Sequence, residues 1–298
     1  MEAASVPQTQ AATRTRTKTK GTKREGTPWW LWLAVLGIVL FCLFPFYWML
    51  NISLKTGPDL SGAALVPPNP TLNNYSSIFK NPDFTNGLRN SAIVALTVTI
   101  LSLVFGSFAA YALARLKVRG KFWILAVVLS VSTFPPIAIA APLFKLWTDI
   151  GLYDRPYGVG LIIPYLTFAL PLTVYILTSF FREIPKDLEE AALVDGATHF
   201  QAFYKVVIPL AAPGMATAAI LTFIAAWNEF LFAITLTSSS NSRTVPAAIA
   251  FFTGSTEHEV PLGTISAASV IISIPLIMLV LFFQKRIVAG LTAGAVKG

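Results

Sequence analysis

The sequence predicts an all-α membrane protein with six transmembrane helices, and three observations carry that prediction. Of 298 residues, 55% are hydrophobic and only 12% charged, with a mean hydropathy of +0.67. That balance belongs to chains solvated by lipid rather than by water. Six apolar stretches reach the length of about 20 residues that a bilayer core demands: 29–49, 91–113, 122–144, 158–181, 206–236 and 262–283. The basic residues are also shared unequally between alternate loops, as the positive-inside rule requires of a multi-pass protein.

The elements follow in order. Residues 1–28 alternate Thr with Arg and Lys and read as a disordered basic tail, either inert or resting on anionic lipid headgroups. The first span is too long for a cleaved signal peptide, and Asn51–Lys55 has no small-residue cleavage site. Cys42, the lone cysteine, lies within it, so no intrachain disulfide can form. The third span holds Pro135, Pro136 and Pro142, and the fourth Pro164 and Pro171. Prolines at membrane depth require neighbouring helices to satisfy the freed carbonyls, so kinks are expected there. The fifth run is long for one straight crossing and carries Pro209, Pro213 and Gly214 near its start. A bend or an interfacial lead-in is expected. After the sixth span, 284–298 forms a tail, leaving 29–283 as a single six-helix domain.

Charge sets the orientation. Arg14, Arg16, Lys18, Lys20, Lys23 and Arg24 precede the first span, and Arg115, Lys117, Arg119 and Lys121 separate the second from the third. Arg182, Lys186 and Lys205 separate the fourth from the fifth, and Lys285, Arg286 and Lys297 follow the sixth. These are 16 of the 22 basic residues, all on one side. Both termini are therefore expected in the cytoplasm. The net charge of +8 is a topology signal and gives no ground for a nucleic-acid partner.

One polar segment interrupts this pattern on the basic side. After Pro185, the acids Asp187, Glu189 and Glu190 suit the positive end of a helix. Leu188, Ala191 and Ala192 fall at i, i+3 and i+4 and give a small apolar face. Gly196 supplies a left-handed stop. Thr198 and Gln201 have the spacing of a capping box for a second short helix, on which Phe200, Phe203, Tyr204 and Val207 recur at helical spacing.

Glu190-Ala191-Ala192, three residues, Gly196, nine residues, then Val206, Ile208 and Pro209 resemble the EAA loop of ABC-importer permeases. Val for Ile and Ile for Leu are the departures. The resemblance implies the type I ABC-importer permease fold, with this loop as a cytoplasmic coupling helix that sits in a cleft of the ATP-hydrolysing subunit. Glu190, Ala191, Ala192, Asp195, Gly196, Ala197, Phe200 and Pro209 would then make that contact. The other reading of the segment is a helical hairpin packed on its own bundle.

Ala226-Trp227-Asn228-Glu229-Phe230 places an amide and a carboxylate inside the fifth span. A carboxylate in hydrocarbon costs several kcal/mol and normally faces the bundle interior or a wet cavity. Asn228 and Glu229, with Trp227, Thr167 and Phe168, either line a solute path or make helix–helix contacts, such as an ion pair with Arg89. The Trp-Asn-Glu-Phe stretch is similar to the fifth helix of sugar-importer permeases. The C-terminal stretch Gln284–Gly298 looks like the tail of MalG-type subunits of carbohydrate ABC importers, especially the second permease subunit of trehalose importers. That likeness implies that the tail, with Gly290 and Lys297, reaches between two ATPase subunits. It also implies that the loop 237–261, with Arg243, Glu257, His258 and Glu259, reaches an extracytoplasmic sugar-binding protein or lipoprotein. The loop 51–86 is a second candidate surface, and both loops can also be read as solvated connectors.

The partners implied are a homologous MalF-like permease subunit, two ATPase subunits, the sugar-binding protein and membrane lipid. ATP and Mg would sit on the ATPases, with no cofactor on this chain, which has no G-x-x-x-x-G-K-[ST] loop. No nucleophile–base constellation argues for an enzyme, and His199 and His258 lack metal-ligand spacing. The expectation is a permease in a bacterial cytoplasmic membrane that moves a di- or oligosaccharide, trehalose among the candidates, by alternating access. The competing class is a stand-alone secondary transporter or channel. Against it stand few intramembrane ionisable groups and no detectable inverted repeat.

Overall fold

A computed structural model describes residues 28–252 and 261–293, without the side chains of Pro58, Ser61 and 285–293. The basic tail 1–27, the loop residues Glu257, His258 and Glu259, and Lys297 lie outside the described residues. Among those described, the chain is helical, with no strand. It divides into two units, Met1–Pro45 and Phe46–Gly298. The first carries most of α1 (Trp29–Ser53), whose apolar side chains are almost all exposed, as on a helix solvated by lipid.

The second unit is built around α3 (Pro82–Arg115) and α6 (Ile162–Glu183). Asn81 caps α3 by accepting from the Asp83 N–H at 2.8 Å, with Pro82 in the first turn, where a missing N–H costs nothing. The helix then runs 34 residues, about 50 Å by the usual rise. It touches α6 through small residues. A Cβ added to Gly106 would sit 2.7 Å from Thr173 Cγ2, so only glycine permits this approach. The Thr173 hydroxyl donates to Ala169 O at 2.9 Å and lies 2.9 Å from the Thr222 hydroxyl, which ties α6 to α10 (Ala212–Trp227).

Among the described residues, four helices are long and apolar enough to cross a membrane: α1, α3, the stretch 156–183 ending in α6, and α13 (Leu262–Ala293). Two bent pairs raise that to six if each is one span. The third expected span is such a pair. α4 (Lys121–Ser132) and α5 (Pro136–Asp149) meet at 81°, because Pro135 and Pro136 cannot continue the hydrogen-bond ladder of α4. α5 runs on to Asp149, past Phe144, where the sequence reading ends the span.

The fifth run, expected as one span over 206–236, is not one continuous helix. Its lead-in bends as the prolines required. A π-type turn (Phe203–Val207) and α9 (Ile208–Leu210) enter α10 at 76°. α10 then stops at Trp227. Asn228–Phe230 is not helical, and α11 (Leu231–Leu236) starts afresh. Two shorter elements, α2 (Asn73–Lys80) and α12 (Val245–Ala250), pack with α3 and α13 around Ile78, Phe84, Val245, Ala267 and Ala268. The sixth span does not end at Phe283. The helix continues through Gly290 to Ala293.

Candidate functional site

The polar insert folds as a hairpin of two short helices. α7 (Lys186–Val194) carries Asp187 and Glu189 in its first turn. Gly196 takes φ +88°, the left-handed stop read from the sequence. At α8 (His199–Ala202), Thr198 Oγ1 accepts from the Gln201 N–H at 3.2 Å, while Gln201 Oε1 accepts from the Thr198 N–H at 2.8 Å, so the capping box is complete.

The apolar stripe of α7 faces mostly away from the bundle. Leu188 and Ala191 are exposed, Val194 is 87% exposed and Phe200 is 60% exposed. The buried residue of α7 is Glu189. Tyr111 Oη donates to Glu189 Oε1, and Arg115 Nε lies 3.5 Å from Glu189 Oε2. Arg115 Nη2 also donates at 2.7 Å to the carbonyl of Ile184, the residue that ends α6 as its C-cap. One carboxylate thus binds the insert to the end of α3, and one guanidinium binds that end to α6. Breaking a buried pair of this kind from one side costs about 3–5 kcal/mol. The second limb is held by rings: Phe203 lies 4.8 Å from Tyr111, 5.3 Å from Phe108 and 6.4 Å from Phe181, centroid to centroid. Beside α7 is a cleft of about 310 Å³ lined by Arg115, Lys117, Lys186, Glu189, Glu190 and His199 among others. The insert therefore buries Glu189 and Phe203 inward and leaves Leu188, Glu190, Val194 and one side of the Phe200 ring exposed.

The residues expected along a solute path do not all meet. Glu229 and Phe168 share a cavity of about 170 Å³ with Tyr165, Pro136 and Phe232, and Phe168 stacks on Phe232 at 5.5 Å. Thr167 lines a different cavity, of about 370 Å³, with Phe105, Val128 and Pro171. Trp227 is buried against α13, its Nε1–H donating to Ile272 O at 3.3 Å. Asn228 is exposed and donates to Ile224 O of its own helix at 2.9 Å. Glu229 accepts from the Phe232 and Ala233 N–H groups at 2.8 and 3.2 Å. From just before the N-cap it satisfies amides of α11 that an uninterrupted helix would have paired internally. Arg89 is not its partner. The Arg89 guanidinium stands 4.7 Å over the Tyr157 ring.

At the end of the unit opposite the insert, Asp154 organises the loop that follows α11. Its Oδ1 accepts from the Ser238 and Ser239 N–H groups at 2.7 and 2.9 Å and from the Ser239 and Ser242 hydroxyls. Burial acts to raise this carboxyl, but donation from Ser242, Ser238 and Ser239 outweighs it and holds the pKa at about 2. Asp154 has φ +53°, a conformation that Asp and Asn accept better than other side chains. Arg243 lies 3.8 Å over the Phe251 ring, and its carbonyl accepts from Asn90 of α3. In the loop after α1, Lys55 is buried, donating to Ala64 O at 2.7 Å beneath exposed Leu65 and Val66.

Glu189, Tyr111, Arg115, Asp154 and Asn90 escaped the sequence reading. Glu189 had a visible signal, since it precedes the Glu-Ala-Ala motif. Its inward rotation depends on where α3 ends. Asp154 sits in a turn-like Tyr-Asp-Arg-Pro stretch, and its donors lie more than 80 residues away.

Residues 85–292 match the model of the family described as "Binding-protein-dependent transport system inner membrane component". The chain is 49% identical to the trehalose transport system permease protein SugB of Mycobacterium tuberculosis, over 92% of this chain and 99% of that one. It is 42% identical to the trehalose/maltose transport system permease protein MalG of Thermococcus litoralis, over 89% and 96%. Among solved structures, a bacterial ABC transporter involved in import of the acidic polysaccharide alginate superposes with a TM-score of 0.71 at 25% identity, covering 86% of this chain and 94% of that one.

Proposed function

The chain belongs to the family of binding-protein-dependent transport system inner membrane components, and we propose on that footing that it is one half of the pore of an importer for a di- or oligosaccharide, trehalose being the best candidate. It is a MalG-type sugar ABC-importer permease and not itself an enzyme. With each bent pair counted as one of six spans, the distribution of Lys and Arg supports a cytoplasmic location for both termini and the insert. A MalF-like permease completes the pore, two ATPases bind ATP and Mg below it, and a sugar-binding protein docks above. Closure of the ATPases moves the insert and rocks the helices between inward and outward access.

The observation that carries this reading is the hairpin 186–210, which is tied rigidly to the bundle on one side and exposes Leu188, Glu190, Val194 and Phe200 on the other. An exposed apolar patch on a folded insert calls for a partner. Glu190, Ala191, Ala192, Asp195, Gly196, Ala197 and Phe200 form the ATPase contact. Glu229 and Phe168 line the sugar path, where an aromatic face and a carboxylate suit a polyhydroxylated ring. Arg243 lies in the docking loop for the binding protein.

Purification of the chain in gentle detergent tests the proposal. A P-loop ATPase and a second permease are expected to co-purify, and uptake in proteoliposomes is expected to need ATP and the binding protein. Uptake by the chain alone without ATP would overturn it.

A further inference from the structure

The two ends of the second unit that the proposed function assigns to different partners are joined by one element. At its C-terminal end α3 holds the insert through Tyr111 and Arg115 on Glu189, and Arg115 also holds the end of α6. At its N-terminal end it holds the loop after α11. Asn90 is fully buried, and its Nδ2 donates to Asn241 O at 3.0 Å and to Arg243 O at 2.9 Å. Ser91 Oγ accepts from the Val245 N–H at 2.9 Å. Gly87 lets α12 lie so close that an added Cβ would sit 3.1 Å from Val245 Cα.

Between these clamps α3 is uninterrupted. α1 contains Pro45, α6 contains Pro171 and α13 contains Pro275, whereas α3 has no proline beyond its first residue. α3 runs its 34 residues as one unbroken helix, Gly106 and Ser107 included, so a displacement at one end is carried to the other. Asn90 and Arg115 stand 25 residues apart, about 37 Å along the axis.

We propose that α3 is the coupling rod of this subunit, clamped to the insert by Glu189 with Arg115 and Tyr111, and to the loop 241–245 by Asn90 and Ser91. Movement of the insert then displaces that loop, and capture of the loop by a partner biases the insert. Glu189 and Asn90 are positioning residues that act through the rod. Such coupling is reciprocal: nucleotide on the ATPases changes the affinity for the binding protein by the factor through which the binding protein changes nucleotide affinity.

The inference rests on the proposed function, and the experiment separates the two. In the assembled complex in nanodiscs, the affinity for sugar-loaded binding protein is measured with and without a non-hydrolysable ATP analogue. The affinity of the unmodified complex is expected to change with the analogue. No change in a complex whose uptake needs ATP and the binding protein would overturn the rod and leave the proposed function standing, whereas uptake that needs neither would overturn the proposed function. In Glu189→Gln, Tyr111→Phe and Asn90→Leu, the ratio of the two affinities is expected to shrink by about fivefold or more, the lower end of typical allosteric couplings. Because the two clamps act in series, Glu189→Gln with Asn90→Leu is expected to match the worse single variant. An unchanged ratio in the single variants, or a double variant whose losses multiply, would overturn the rod. Tyr111→Phe removes only a hydroxyl and keeps the test decisive should a buried-polar variant fail to assemble.

Discussion

Asp154 offers the sharpest test of how the loop after α11 is held. Four donors converge on its Oδ1, two of them the backbone N–H groups of Ser238 and Ser239. Hydrogen bonds to a charged acceptor contribute about 1.5–3 kcal/mol each, and those to a neutral one about 0.5–1.5. Asp154→Asn keeps the oxygen and tolerates φ +53°, so it removes only the charge. For the two backbone bonds this comes to about 2 kcal/mol, or about 30-fold in a local opening equilibrium. Asp154→Ala also removes the acceptor and adds about 1–2 kcal/mol of left-handed strain. Amide hydrogen exchange at 238–243 is the assay. Exchange is expected to quicken about 30-fold in the Asn variant and more in the Ala variant, while α3 and α6 keep their protection.

The pH dependence of this loop follows from the same carboxyl. Its pKa is lowered to about 2 in the folded state. The stabilisation is therefore complete above the ordinary carboxylate value and fades only as pH falls from about 4 through about 2. Between pH 5 and 8 the difference between Asp154 and its Asn variant is expected to stay constant. Equal exchange in all three proteins, or a variant effect that changes across that range, would refute the reasoning.

Gly106→Ala is expected to force α3 and α6 apart, since Thr173 Cγ2 stands 2.7 Å from the new methyl. Overpacking of this kind costs about 1–3 kcal/mol and is read as a lower melting temperature of the complex. Gly196→Pro is expected to misplace α8 and abolish binding-protein-stimulated ATP hydrolysis with the chain still in the membrane, because proline cannot adopt φ +88°; normal transport would refute the coupling role. Glu229→Gln keeps an acceptor for the α11 amides and is expected to preserve complex yield while uptake per complex falls several-fold. Glu229→Leu leaves those amides uncapped, about 1 kcal/mol, and lowers yield as well; unmodified uptake per complex in both would end the path role. In a Cys42→Ala background, Gly120→Cys is expected to be labelled only from the cytoplasm and Ser239→Cys only from outside; the reverse would overturn the orientation.

Local chemistry made much of this protein legible. Membrane class follows from composition, and the long apolar helices from run length, because lipid leaves the backbone no hydrogen-bond partner except itself. The insert's two helices, its left-handed Gly196 and its capping box were readable because each is decided within four residues. The bends at Pro135–Pro136 and Pro209–Pro213 were foreseen for the same reason. Tertiary structure decided what faces what. Helical spacing showed an apolar stripe at Leu188 and Ala191 but not that the bundle takes Glu189 instead, because that depends on Arg115 and Tyr111 arriving at the end of another helix. Likewise Glu229 reads as a costly charge inside a span. Only the fold shows the helix interrupted beside it and its carboxylate on the amides of α11. Asp154 and Asn90 find partners 84 to 153 residues away, a distance over which no local pattern reports and which only the packed helices close.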